Sequence, residues 1–150
     1  MIKRLLFWLV AALVPAAIGA AFPAPDYNAD LRKPAWAPPT WLYGPAWTVL
    51  YAVIGVAAWL VAKRGGPGAR GALGLWGGQL VLNAAWTPIF FGLRAPGAAL
   101  AEIVAMWVAI AATTVAFFAR RTAAGALMLP YLAWVSFATG LNYAIWRLND

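Results

Sequence analysis

Five long apolar runs, separated by short polar or glycine-rich segments, constrain this chain more than any other feature. The runs cover residues 5–22, 43–62, 73–91, 98–118 and 123–146. Each is close to the roughly 20 residues that an α-helix needs to cross a bilayer. The apolar residues are continuous and do not alternate as they must in barrel strands. The runs therefore predict helices, which satisfy their own backbone hydrogen bonds in lipid.

The composition agrees with a membrane protein. Of the 150 residues, 65% are hydrophobic and 10% are charged, whereas a soluble domain has about 25% charged residues. Too little polar surface is present to cover a water-soluble sphere. We predict a single domain over 1–150, all-α and integral to the membrane, with five transmembrane helices in a bundle and a long structured first loop.

The first run has an alternative interpretation as a signal peptide. Lys3 and Arg4 precede an apolar stretch that ends in small residues at 19–21, as in secretory signals. Against this, the stretch is 18 residues long and is interrupted by Trp8 and Pro15. We favour a retained helix.

Basic residues flank the apolar runs in short clusters. Seven lie at the N-terminus and in the second and fourth loops, against four on the opposite side. The positive-inside rule then predicts a cytoplasmic N-terminus. The basic residues that flank the spans also explain the net charge of +7. No basic stripe or extramembrane domain is present that could hold a nucleic acid. We predict no nucleic-acid partner.

Absent residue types exclude several chemistries. The chain has no Cys and no His, so disulfides, thiol nucleophiles, imidazole bases and the usual ligands of zinc or haem iron are missing. No nucleophile lies beside a base and no phosphate-binding loop is present. Conventional acid–base catalysis is therefore not expected, and we predict neither a metal nor a cofactor.

The third run carries polar side chains on one helical face. Gln79 and Asn83 are four residues apart, and Trp86 follows three residues later. They predict either interhelical hydrogen bonds that hold a bundle together or a ligand pocket with polar groups and an aromatic wall. The two interpretations are compatible.

Two further stripes repeat at four-residue spacing in the second and fifth runs. They are Tyr43, Trp47 and Tyr51, and Trp134, Ala138 and Asn142. Aromatic residues are common at the membrane interface, which is one explanation. The other is a pocket, because a small residue between a tryptophan and an asparagine leaves room for a flat guest.

Gly74 and Gly78 form a GxxxG pattern in the third run. They point about 130° away from the face of Gln79 and Asn83 at 100° per residue. Such a pattern allows close helix packing. It predicts either a homodimer through this helix or a close contact within the chain.

Glu102 is the one carboxylate inside a predicted span. A carboxylate there would serve a proton or a cation. Alternatively it is an interfacial residue that reaches Arg94 or water.

The segment KPAWAPPTWLYGPAW, residues 33–47, separates the first two runs. Its prolines stop helix propagation and restrict the unfolded chain, while Pro45 suits the first turn of the second helix. A loop of this length is often functional. We predict a stiff lid that carries Trp36 and leads directly into the aromatic stripe that contains Trp47.

Three long motifs resemble the TspO/MBR family, whose members are tryptophan-rich sensory proteins and translocator proteins, or peripheral-type benzodiazepine receptors. They are LRKPAWAPPTWLYGPAWTVLY at 31–51, GQLVLNAAWTPIFFGLR at 78–94 and LPYLAWVSFATGLNYAIWRLN at 129–149. The resemblance implies a five-helix bundle, commonly dimeric, in a bacterial cell membrane or outer membrane. It implies binding of porphyrins and haem-like tetrapyrroles as ligands, of sterols and of benzodiazepine-type drugs, with a role in tetrapyrrole transport, sensing or stress regulation.

The resemblance also implies site residues. The ligand-binding positions are Tyr27, Trp36, Trp47, Tyr51, Asn83, Trp86, Trp134, Ala138 and Asn142. As an alternative function, Trp47 and Trp134 match tryptophans implicated in light- and oxygen-dependent porphyrin breakdown.

A sterol-recognition pattern is matched by Leu141, Tyr143 and Arg147; it is weak evidence by itself. Tyr143 lies nine residues after Trp134, and therefore about half a turn around the helix. We predict a sterol site that faces away from the pocket.

Overall fold

The computed structural model describes residues Met1–Asp150, and all of its regular elements are helical. The seven α-helices are α1 Ile2–Ala12, α2 Val14–Gly19, α3 Pro25–Asp30, α4 Tyr43–Arg64, α5 Ala69–Thr87, α6 Pro96–Arg120 and α7 Thr122–Asn149. A 3-10 turn at Thr40–Leu42 leads into α4, and a π-helical turn at Pro88–Gly92 extends α5.

Four helical segments are long and apolar enough to cross a membrane. They are Ile2–Gly19, Thr40–Arg64, Pro96–Arg120 and Thr122–Asn149. The predicted class, an all-α integral membrane protein with several spans, is confirmed. The remaining long helix, α5, contains Gln79 and Asn83 and is not among the four, so a fifth span stays a prediction.

The long helices form a closed ring. The α1–α2 pair packs on α4, which packs on α7; α7 packs on α6, α6 on α5, and α5 returns to α2. The interior holds large side chains that are fully buried, among them Ile54, Ile110, Met128 and Tyr131. Each helix thus has one face toward the interior and one toward the outside.

Prolines interrupt the regular α-helix at two places and lie inside a continuous helix at a third. The first apolar run, predicted as one helix over 5–22, is divided into α1 and α2 next to Pro15. Pro88 begins the π-helical turn, where the amide of Leu93 donates to the carbonyl of Pro88 at 2.9 Å. Pro130 lies inside α7. Proline lacks the amide hydrogen and clashes with the preceding turn, which explains the divided helix and the widened turn.

The turn between α4 and α5 is shorter than the predicted loop over 63–72. It contains Gly65, Gly66 and Gly68, all with positive φ, a backbone region that favours glycine. The side chain of Arg120 donates a hydrogen bond to the carbonyl of Gly65 at 2.6 Å. One of the basic residues assigned to flanking charge therefore also fixes a turn.

The first loop, between α2 and α4, lies at the end of the ring where α7 terminates. Its short helix α3 was not predicted, although Pro25 and Asp26 in the first turn are typical of a helix start. The backbone amide of Arg32 donates to Oδ1 of Asn149 at 2.9 Å, and Nδ2 of Asn149 donates to the carbonyl of Arg32 at 2.8 Å. We call this reciprocal pair the loop clamp.

Replacing Asn149 with alanine should release the first loop and leave the bundle folded. Both bonds of the loop clamp are lost, so the amide of Arg32 is expected to exchange with deuterium about tenfold faster, since an exposed pair of hydrogen bonds contributes about 1–2 kcal/mol to local stability. Hydrogen exchange by mass spectrometry measures this directly. Asn28→Ala, in the same loop, is the control, because Asn28 makes its hydrogen bonds through backbone atoms, which the substitution keeps. Equal exchange in the two variants would show that the clamp contributes nothing.

Candidate functional site

A buried polar network connects three helices of the ring. The hydroxyl of Tyr51 on α4 donates to Oδ1 of Asn83 on α5 at 2.9 Å. Nδ2 of Asn83 donates to the hydroxyl of Tyr131 on α7 at 2.7 Å, and that hydroxyl donates to Oε1 of Gln79 at 2.6 Å. All four side chains are buried. The polar stripe on the third run thus makes interhelical hydrogen bonds, one of its two predicted roles.

A second polar bridge lies nearer the first loop. The indole of Trp86 donates to Oδ1 of Asn142 at 2.9 Å, and Nδ2 of Asn142 donates to the carbonyl of Pro96 at 2.9 Å. This connects α5, α7 and the start of α6. Buried polar groups are costly unless they are hydrogen-bonded, so both bridges fix the relative positions of the helices that carry them.

Aromatic rings form a continuous path from the first loop to the polar network. The ring of Trp36 lies 5.7 Å from that of Phe137, which lies 5.7 Å from Trp134. Trp134 meets Trp47 at 6.4 Å, and Trp47 meets Tyr51 at 5.3 Å. We call these five residues the aromatic chain; it runs between α4 and α7. The spacing of the two stripes placed three of its members, Trp47, Tyr51 and Trp134, on these faces.

Trp134 is the member of the aromatic chain that has a buried polar atom without a partner. Its indole nitrogen is buried and makes no hydrogen bond, although its ring also contacts that of Tyr43 at 6.3 Å. Ala138, one turn further along α7, is half-buried against the core. A buried donor without an acceptor is unfavourable, so a guest that offers an acceptor here would gain from it.

A separate aromatic cluster lies beneath α3. The ring of Tyr27 is 6.3 Å from Phe90 and 6.2 Å from Phe91, and the guanidinium of Arg94 lies 5.1 Å above it. Trp86 stacks on Phe90 at 4.7 Å. Burial raises the pKa of Tyr27, and the charge of Arg94 lowers it by less, so the phenol is neutral at physiological pH. Tyr27 contacts this cluster and not the aromatic chain.

The residues of the sterol pattern point in different directions. Tyr143 is 52% exposed, and its ring lies 6.1 Å from that of Trp146, over which Arg147 is placed at 5.9 Å. Leu141 is buried and belongs to a small core cluster with Phe90. The tyrosine and the arginine are therefore on the outer surface of α7, whereas the leucine is part of the packing.

Glu102 lies on α6 with both carboxylate oxygens shielded from solvent and without hydrogen bonds. Arg94, one of its two expected interfacial partners, lies over Tyr27 instead. A carboxylate without a partner inside a span is costly.

Gly74 and Gly78 face open space. A Cβ atom built on either residue meets no other atom within 4 Å. The close contact within the chain, one of the two predicted roles, is therefore absent at both positions. The homodimer stays a prediction.

Some residues that connect distant segments were absent from the predicted site. Tyr131, at the centre of the polar network, and Asn149, in the loop clamp, are the clearest examples. Both lie on the same helical face as the predicted residues Ala138 and Asn142. Positions 131, 138, 142 and 149 are separated by seven, four and seven residues, which keeps them on one face. Heptad spacing through Ala138 and Asn142 could have found them. Phe137 lies off this face and had no comparable signal.

The fold and the interior define a helical membrane protein whose inner face is lined by tryptophans and amides. The model of the TspO/MBR family matches residues 5–147. The chain is 44% identical over 144 residues to a tryptophan-rich sensory protein of Cereibacter sphaeroides, covering 96% of this chain and 90% of the relative. It is 48% identical over 126 residues to the translocator protein of Homo sapiens, with coverage of 82% and 75%. Protein CrtK of Rhodobacter capsulatus is 36% identical over 144 residues, with coverage of 95% and 90%. This chain belongs to the TspO/MBR family.

Proposed function

We propose that this protein is a membrane receptor or carrier for porphyrins, with a role in tetrapyrrole transport, sensing or stress regulation. In this proposal α5 is a fifth transmembrane helix, and the ring of helices encloses the ligand site. The names of the relatives, sensory protein and translocator protein, agree with such a role. The membrane is a bacterial cell membrane or outer membrane.

The observation that carries the proposal is the aromatic chain together with the unpartnered indole of Trp134. Offset or edge contacts between aromatic rings stabilise by about 0.5–1.5 kcal/mol beyond burial. A flat macrocycle can therefore be held by stacking and apolar burial without an axial metal ligand. The carboxylates of a porphyrin would meet Arg32 and Lys33, which are exposed on the first loop.

The other ligands belong to separate surfaces. The outward position of Tyr143 and Arg147 supports a sterol site on the outside of α7, distinct from the porphyrin site. Benzodiazepine-type drugs would share the interior site, since they also have flat aromatic groups. The open face at Gly74 and Gly78 supports a homodimer through α5.

A second candidate function is light- and oxygen-dependent breakdown of the bound porphyrin. The contact between Trp47 and Trp134 favours it, because two indole rings beside the ligand could donate electrons to an excited macrocycle. The porphyrin supplies the excited state and dioxygen is the oxidant, so no acid–base residue is needed.

One titration tests the proposal. Purified protein in lipid nanodiscs is mixed with protoporphyrin IX in the dark and in light, and tryptophan fluorescence and Soret absorbance are followed. We expect saturable quenching in the dark, and an affinity about tenfold lower in Trp134→Phe, which loses the indole donor and part of the ring area. Trp59→Phe is the matched control, because Trp59 lies near the opposite end of α4 beneath Lys63.

The outcomes separate the two functions. Quenching without loss of the Soret band supports a receptor or carrier. Loss of the band that requires light and oxygen, and that disappears in Trp47→Phe and Trp134→Phe, supports the enzyme. Absence of saturable quenching would overturn both.

A further inference from the structure

An apolar groove runs along the outside of the ring where α4 and α7 meet. Four residues of α4 and four of α7 line a volume of about 610 Å³, which is within the range of small-molecule sites, roughly 300–1,000 Å³. None of the lining residues is charged. The groove is therefore suited to an apolar guest.

Small side chains from both helices contribute to the groove. Ala46 on α4 and Ala133 on α7 leave space between their larger neighbours. Pro130 also lines the groove from inside α7. A larger side chain at either alanine would therefore narrow the groove.

The groove opens on a surface that the bilayer covers. Both helices are long and apolar enough to cross a membrane, and Val49 on the rim is 61% exposed. A membrane-dissolved molecule can reach this opening without leaving the hydrocarbon region.

Trp134 belongs to the groove and to the interior at once. Its ring lines the groove and also contacts Trp47 in the aromatic chain. Phe137 has the same double position, between the groove and Trp36 of the first loop. These two rings separate the outer groove from the proposed porphyrin site. At the end of the ring, by contrast, the first loop is held to α7 by the loop clamp.

We propose that the groove between α4 and α7 is a lateral opening through which the flat, largely apolar macrocycle of a porphyrin passes between the bilayer and the interior, with the ring of Trp134 moving to admit it. The inference rests on the proposed function, since it needs an interior ligand. In this proposal Ala46, Val49 and Ala133 affect the rate at which the ligand enters and leaves, and they do not affect the affinity of the interior site.

The test is a measurement of rates. Stopped-flow quenching by protoporphyrin IX, supplied in the lipid of vesicles that contain the protein, gives the association and dissociation rate constants. Ala133→Phe places a ring in the groove and should lower both constants by about tenfold with little change in their ratio, since a narrowed route slows entry and exit equally. Val49→Phe places a ring on the facing wall of the groove and should also lower both rate constants. It keeps the test possible if Ala133→Phe does not fold.

The matched control is Ala105→Phe, an exposed alanine on α6 away from the groove, which should leave both constants at the wild-type value. Unchanged rates in the folded groove variants would overturn the lateral opening while leaving the receptor proposal in place. A higher dissociation rate constant with an unchanged association rate constant would also overturn the lateral opening, because the groove would then be part of the binding site. Wild-type protein that shows no saturable quenching would overturn the proposed function, and the opening with it.

Discussion

Replacing Asn83 with leucine is expected to destabilise the folded protein by about 2 kcal/mol, because the hydroxyl of Tyr51 loses its acceptor and that of Tyr131 loses a donor in a water-free interior. Hydrogen bonds between transmembrane helices contribute about 0.6–2 kcal/mol each, and two are removed. Unfolding in increasing concentrations of denaturing detergent, or the shift of Tm in nanodiscs, measures the loss.

A double-mutant cycle supplies the control. Tyr51→Phe removes the other side of one bond, so the combined variant should lose less stability than the two single variants together, by about 1 kcal/mol. Additive losses would show that the bond between Tyr51 and Asn83 contributes nothing to stability.

Gly55→Leu should be strongly destabilising, because Gly55 lies where α4 crosses α1. A Cβ atom at Gly55 would lie 3.1 Å from the carbonyl oxygen of Trp8 and 3.2 Å from Cα of Leu9. These are backbone atoms that cannot rotate away, so α1 must separate from α4. Overpacking costs about 1–3 kcal/mol and occasionally more. We expect about 3 kcal/mol here, because the adjacent contact of Trp8 with Trp76 at 5.4 Å would also be disturbed.

Gly74→Leu is the matched control for that experiment. It introduces the same side chain into another long helix, but at a position with no neighbour within 4 Å. Its effect on the stability of the monomer should be below about 0.5 kcal/mol. If Gly55→Leu proved as stable as Gly74→Leu, the close approach of α1 and α4 would be wrong. Loss of a crosslinked dimer in Gly74→Leu alone would support the homodimer.

The sequence predicted the helical class and the faces of the helices well, for a physical reason. Continuous apolar runs near 20 residues have few alternatives in lipid, and a four-residue spacing places Trp47 and Tyr51, or Asn83 and Gln79, on one face irrespective of tertiary contacts. The hydrogen bonds of Asn83 to two helices at once could not be predicted, since they depend on which helices are neighbours.

The contacts of the first loop with distant segments could not be predicted from the sequence either. Arg32 and Asn149 are 117 residues apart, and no local pattern relates them. The position of Tyr27 beneath Arg94, away from Trp134, depends on how α3 is oriented. The π-helical turn after α5 could have been anticipated from Pro88, but its effect on the stacking of Trp86 with Phe90 could not.

The order of helices around the ring has a consequence for biosynthesis. Helix α7 leaves the ribosome after α4 and α6 and occupies the place between them, so the ring stays open until α7 has been inserted. Until then Tyr51 and Asn83 have no Tyr131 to complete their network, and Trp47 has no Trp134. Assembly therefore depends on a lateral association of already inserted helices, the later of the two stages by which helical membrane proteins fold, and a stalled or truncated chain would expose these polar side chains to lipid.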